Sequence, residues 1–141
     1  MRGFTLVEMV LSVAIMAILI GLATPVYFSY QTNNEFGLAT EAGVRSLRRA
    51  QLLAVNMEQD NNWGTYFSTS SITVYVGASF GSRNSNYDEP YSLPASVTST
   101  VVDINFSKFT GEPVASTSIT LSSDSGDRKI ISVNAKGLVD Y

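Results

Sequence analysis

The pattern of apolar and polar positions changes period twice along the chain, and each change predicts an element boundary. From Met9 to Val26 the chain runs 18 residues without a charge. At ~1.5 Å per residue such a helix spans ~27 Å, close to the ~30 Å hydrocarbon core of a bilayer, so the run reads as a membrane helix. Pro25 has no amide proton, and with Gly21 before it the pattern predicts a bend or a locally unwound stretch there. From Tyr27 to about Asn56 a helical period continues, with Phe36, Ala39, Gly43, Leu47, Ala50, Ala54 and Met57 on one face. That face is expected on the globular part of the chain, with Leu38, Glu41, Arg45, Arg48, Arg49 and Leu52 opposite.

The turn formers Asn56 to Asn62 end the helix, and a period of two follows. Trp63 to Phe67 and Ile72 to Val76 read as a hairpin, and the Gly, Pro, Ser and Asn content of Gly77 to Pro94 reads as a long loop. Strands are then expected at Val101 to Phe106, Ser118 to Ser122, Lys129 to Val133 and Leu138 to Tyr141, parted by turns at Gly111-Glu112-Pro113, at 124–127 and at 134–137. One long helix followed by short strands predicts an α+β fold, the second half of the helix packed on a small antiparallel sheet domain.

Charge and rare residues narrow the chemistry. The formal charge is −3, which gives no general attraction to nucleic acid or anionic lipid. There is no cysteine, so no disulfide is available, and no histidine, the commonest general base and zinc ligand. The serines have no histidine to activate them, and no nucleophile elbow or phosphate loop occurs; the chain is not expected to be an enzyme or to hold a cofactor. Asp88 with Glu89, and Asp124 with Asp127, are hard oxygen donors, but neither run matches an EF-hand loop, and acidic residues in turns more often bond their own backbone. Arg83 with Tyr87 and Tyr91, and Arg128 with Lys129 elsewhere, offer a stacking and phosphate surface for nucleic acid, opposed by the acidic balance and by Asp88 and Glu89 in the same loop. Asn105-Phe106-Ser107 fits a glycosylation sequon inside an expected strand.

The residues ahead of the uncharged run are more specific. Arg2-Gly3-Phe4-Thr5-Leu6-Val7-Glu8 resembles the leader junction of type IV prepilins and type II secretion pseudopilins. The resemblance implies cleavage between Gly3 and Phe4 by a prepilin peptidase and N-methylation of Phe4. It also implies an assembly role for Glu8 and Pro25, with the Phe4 amino terminus of a neighbouring subunit as partner of the Glu8 carboxylate. A carboxylate in hydrocarbon costs at least ~2.5 kcal/mol, so Glu8 needs a partner or a place at headgroup depth. Trp63-Gly64-x-Tyr66-Phe67, Phe106-x-x-Phe109-x-Gly111 and the stretch from Ile131 to Val139 look like the β-domain of the H-type pseudopilin. Many type IV pilins close a C-terminal loop with a disulfide, which this cysteine-free chain departs from.

The resulting division is a cleaved leader at 1–3, a transmembrane and assembly helix at 4–26, an amphipathic continuation at 27–57 and a β-domain at 58–141. Arg2 before the run, with no basic cluster after it, favours a single-pass topology with the N-terminus cytoplasmic and the β-domain outside. The implied function is a structural subunit of a type IV pilus or secretion pseudopilus, of minor type. Its partners are other pilin subunits, the peptidase, an assembly platform and the membrane. The alternatives are a major pilin, or a DNA-uptake or adhesion subunit binding through the 77–94 loop.

Overall fold

Thr5 opens the helix by capping it: its hydroxyl accepts the Glu8 amide at 3.3 Å, satisfying one of the donors a helix N-terminus leaves free. The computed structural model describes residues 3–141, apart from the side chains of 22–26. Helix α1 spans Leu6–Val55, 50 residues, a rod of ~75 Å. The helix runs through Gly21 and Pro25, in place of the locally unwound stretch expected there, and the charge of Arg2 falls outside the described residues. Among the described residues no helix is long and apolar enough to cross a membrane; the uncharged run read from the sequence reaches into 22–26.

The two halves of α1 meet different surroundings. Every large apolar side chain described between Phe4 and Ile20 is at least half exposed, whereas burial begins at Ala39 and continues through Val44, Leu47, Ala50, Leu53 and Ala54. Five of the seven residues expected on the inner face are buried, and Phe36 packs partly against the core. Met57 is the exception: the chain has left the helix there with φ 54° and its side chain is exposed. Thr40 and Ser46 are buried with them, their hydroxyls bonded to Phe36 O and Gly43 O at 2.9 Å.

The strands form two four-stranded antiparallel sheets rather than one. β1 (Trp63–Phe67), β2 (Ser71–Val76), β3 (Glu89–Ser92) and β5 (Val102–Phe106) lie in the order β3-β2-β1-β5. β4 (Val97–Ser99), β6 (Thr117–Ser123), β7 (Arg128–Val133) and β8 (Val139–Asp140) lie in the order β4-β6-β7-β8. The inner face of α1 closes one core with Phe67, Ile72, Val74 and Phe106 of the first sheet and Ile119, Leu121, Ile131 and Val133 of the second. Gly43 is what lets the helix come that close, since a Cβ there would stand 3.0 Å from Ile131 Cδ1 and 3.4 Å from Phe67 Cε1.

The stretch from Gly77 to Pro94 is not the long loop the composition predicts. It holds two 3-10 turns, Phe80–Ser82 and Ser85–Tyr87, and then β3, paired to β2 with Ile72 opposite Tyr91 and Thr73 opposite Pro90. Proline is tolerated because β3 is an edge strand: Leu93 N–H donates to Ser70 O, so by alternation Pro90 turns its donorless nitrogen away from β2. β4 is the other strand without a sequence expectation; at three residues it is too short to show a period.

Candidate assembly site

Gly3 and Phe4 lie ahead of the Thr5 cap in non-helical, exposed chain, with Phe4 79% exposed. A backbone outside the helical ladder is what a peptidase needs, because cleavage requires an amide that can be reached and extended. Glu8 sits one turn further, exposed, in the first turn of α1 where a negative charge meets the positive end of the helix dipole. Its own carbonyl accepts from the Ser12 hydroxyl at 2.8 Å, and its carboxylate has no cation partner among the described residues. The helix therefore presents a processed-end candidate, an unpaired carboxylate and an uncovered apolar surface in that order.

The stem is fixed to the β-domain at Glu35. Its carboxylate accepts the Ser96 hydroxyl and, at 3.0 Å, the Gln31 amide; these bonds, Ser96 first, hold it below the usual carboxylate range. Ser96 O in turn accepts the Asp124 amide at 3.0 Å, so the helix, the β3–β4 connection and the β6–β7 turn are tied at one point. Sequence reasoning passes over the tie at Glu35 because Ser96 is 61 residues away, and no local spacing signals that bond.

The other sequence candidates are brought into internal roles. Arg83 donates through Nε to Asp88 at 2.8 Å and through Nη1 to Phe80 O at 2.8 Å, and its guanidinium lies 3.7 Å over the Phe80 ring, which stacks on Tyr66 with centroids 3.9 Å apart. The cation needed for phosphate contacts is thus engaged in closing the loop, while Tyr87 and Tyr91 remain near 40% exposed. Glu89 pairs with Arg49 at 3.0 Å, raising the Arg49 pKa further, and Asp127 accepts the Ser125 hydroxyl. Among the described residues no group of three or more potential ligands clusters as a metal site. The sequon residue Asn105 is buried, donating to Gly77 O at 2.8 Å and to the Tyr75 hydroxyl at 3.3 Å and accepting from Asn62 at 3.2 Å.

Against known proteins, residues 1–24 match the prokaryotic N-terminal methylation motif. No curated protein and no solved structure matches the chain.

Proposed function

Starting from the type IV pilin and pseudopilin leader signature that residues 1–24 carry, we propose that the chain is a minor structural subunit of a type IV pilus or of a type II secretion pseudopilus. The precursor is anchored by its N-terminal helix, cut between Gly3 and Phe4 by a prepilin peptidase, methylated on Phe4 and polymerised through α1. The β-domain is carried outside the membrane, and the subunit catalyses no reaction. The observation that carries this reading is the contrast along one unbroken helix. Its second half supplies a complete core to the sheets, while its first half leaves apolar side chains from Phe4 to Ile20 uncovered. Contiguous exposed apolar surface on that scale marks membrane or protein contact, and a leader of this kind selects both in turn.

A major pilin fits the same observations and differs only in abundance. An adhesion or DNA-uptake subunit is less favoured because Arg83 is bound to Asp88 and Phe80 inside the 77–94 loop. Intact-mass and N-terminal peptide analysis of the protein from its native membrane and from sheared surface material tests the reading. A chain beginning at methylated Phe4 in the sheared fraction is expected; a chain retaining Met1 and confined to the membrane overturns it. The ratio of this chain to the main filament protein in that fraction separates minor from major.

A further inference from the structure

The chain from Val97 to Ser107 and the chain from Glu112 to Ser123 run antiparallel, and they are joined only at their two ends. At one end β4 pairs with β6, and Thr100 N–H donates to Thr120 O at 3.0 Å. At the other, Val114 N–H donates to Asn105 O at 3.1 Å and Ser107 N–H to Glu112 O at 2.9 Å. Between them the register slips: Ser99 lies opposite Leu121, and seven residues on, Phe106 lies opposite Pro113, eight residues back. When one strand of a pair carries a residue more than the other, the ladder must bulge or part. Here it parts, β5 going to β1 in the first sheet and β6 to β7 in the second.

The parting leaves main-chain groups turned into the gap from both sides. Along a strand these groups alternate between its two edges. Asn105 O is turned away from β1 to Val114, so Asp103 N–H and C=O, two residues back, are turned the same way. Ser123 N–H faces the β7 side, bonding Asp127 O at 2.9 Å, whereas Thr120 O faces the β4 side, and Ser118 N–H and C=O face with it. Among the described residues no main-chain hydrogen bond joins 101–104 to 115–119. A cavity of about 250 Å³ opens there, with Ile104, Ala115 and Thr117 in its wall. Its polar side chains are already engaged. Asp103 accepts the Tyr75 hydroxyl and the Phe80 amide, Asn105 donates to Gly77 O, and the Thr117 hydroxyl donates to Ala115 O. What is left to make contacts is peptide backbone, flanked by the exposed apolar side chains of Val101 and Val114.

We propose that this parting of the two sheets is a binding slot for a short extended segment of another polypeptide. Unpaired donors and acceptors along a strand edge are what an added peptide strand bonds, with the main chain giving affinity and the cavity giving selection. The two strands close again at both ends, so the slot takes a few residues and not a through-running strand; residues 101–104 span about 13 Å. The alanine in the wall and the size of the cavity select a small apolar side chain at the centre of that segment. None of the lining residues belongs to α1, and the slot does not depend on the polymer reading.

The probe is the end-capped pentapeptide Ser-Ala-Val-Ala-Ser, titrated into the full-length chain in detergent micelles and followed by amide chemical shifts. Saturable shifts centred on Asp103, Asn105 and Ser118 are expected. N-methylation of the peptide's valine removes one donor and is expected to weaken binding about fivefold. Ala115→Tyr fills the cavity from an exposed position; it is expected to abolish the shifts and to leave thermal unfolding within about 3 °C of the parent. No saturable shift, shifts scattered over the surface, equal binding of the N-methylated peptide, or binding retained by folded Ala115→Tyr each overturn the slot. Shifts at the same amides that grow with protein concentration in the absence of peptide assign the gap to a second copy and overturn it as well. If Ala115→Tyr does not fold, the N-methyl comparison on the parent decides.

Discussion

Tyr75 shows how one side chain fixes its neighbours in this fold. It is fully buried on β2, directly opposite Gly64 of β1, and a Cβ on Gly64 would stand 2.4 Å from its ring and hydroxyl. The glycine is a vacancy that the tyrosine fills, with the ring laid across the neighbouring strand. The hydroxyl then donates to Asp103, whose other oxygen accepts the Phe80 amide at 3.0 Å, and receives the Asn105 amide. Gly64→Ala is expected to destabilise the domain by about 1–3 kcal/mol in urea unfolding, the range for forcing a methyl group into a filled core. Burial first, and then the bond to Asp103, raise the Tyr75 pKa far above its ordinary value of 10.0. The neutral phenol is therefore favoured by the fold, and its contribution is complete below pH 10 and declines as pH rises beyond it, where the unfolded chain ionises first. Tyr75→Phe should flatten that alkaline decline in a stability–pH series. The aromatic and β-branched content around Trp63 to Val76 made this hairpin legible, and β1 and β2 lie within a residue of where it places them. The Gly64–Tyr75 pairing was not legible, because the register that sets them face to face depends on the turn at Ser68 to Ser71, where the Ser68 amide bonds Ser71 O at 2.8 Å.

Among the elements, α1 follows its sequence pattern closely, and β3 does not. A 3.6-residue period over five turns is a long signal, and the helix ends at the Asn56 cap as the turn formers there require. β3 has no such signal: four residues with a proline, exposed on nearly every side chain, resemble a loop in composition. What makes it a strand is tertiary. The Arg49–Glu89 pair ties it to α1, and the hydrogen-bonded loop ahead of it, with Arg83 held by Asp88 and Phe80, delivers it to the edge of β2. Arg49→Ala is accordingly expected to cost the global fold less than about 1 kcal/mol, since the pair is partly exposed. It should also speed amide exchange in Tyr91 and the remainder of β3 while β1 and β2 stay protected. Glu35 supplies the opposite sign of pH dependence. Its carboxyl is held below the ordinary value by Ser96 and Gln31, so the tie between stem and domain is present above that value and is released as pH falls through the lowered one. Protection of the amides of residues 95–97, measured against their intrinsic exchange rates, is expected to fall on acidification in the parent and to be low at every pH in Ser96→Ala.

At the scale of the whole molecule, the candidate assembly site was legible in type and not in contacts. Gly3, Phe4 and Glu8 stand in a local motif that needs no fold to be read, and the motif match covers that part of the chain. The exposure of Leu38 and Leu52 on the outer side of α1 emerges only once the sheets have taken the other face. The same holds for the division of the strands between two sheets, which depends on pairings across the whole domain. Assembly and folding should therefore be separable by mutation. Glu8→Gln is expected to leave the thermal unfolding of the β-domain within about 1 °C of the parent, since Glu8 contacts none of it, while reducing filament incorporation at least several-fold in sheared preparations.

The continuity of α1 also decides where tension goes. In a polymer joined through the helix, a pull along the filament enters and leaves each subunit through the same rod, whose backbone bonds lie in line with the load. The two sheets hang beside that line. Their strands are loaded neither in shear nor by peeling, so the domain is carried as a passenger and needs no covalent staple to survive stretching. A cysteine-free fold resting on packing and hydrogen bonds is sufficient for a part that the force bypasses.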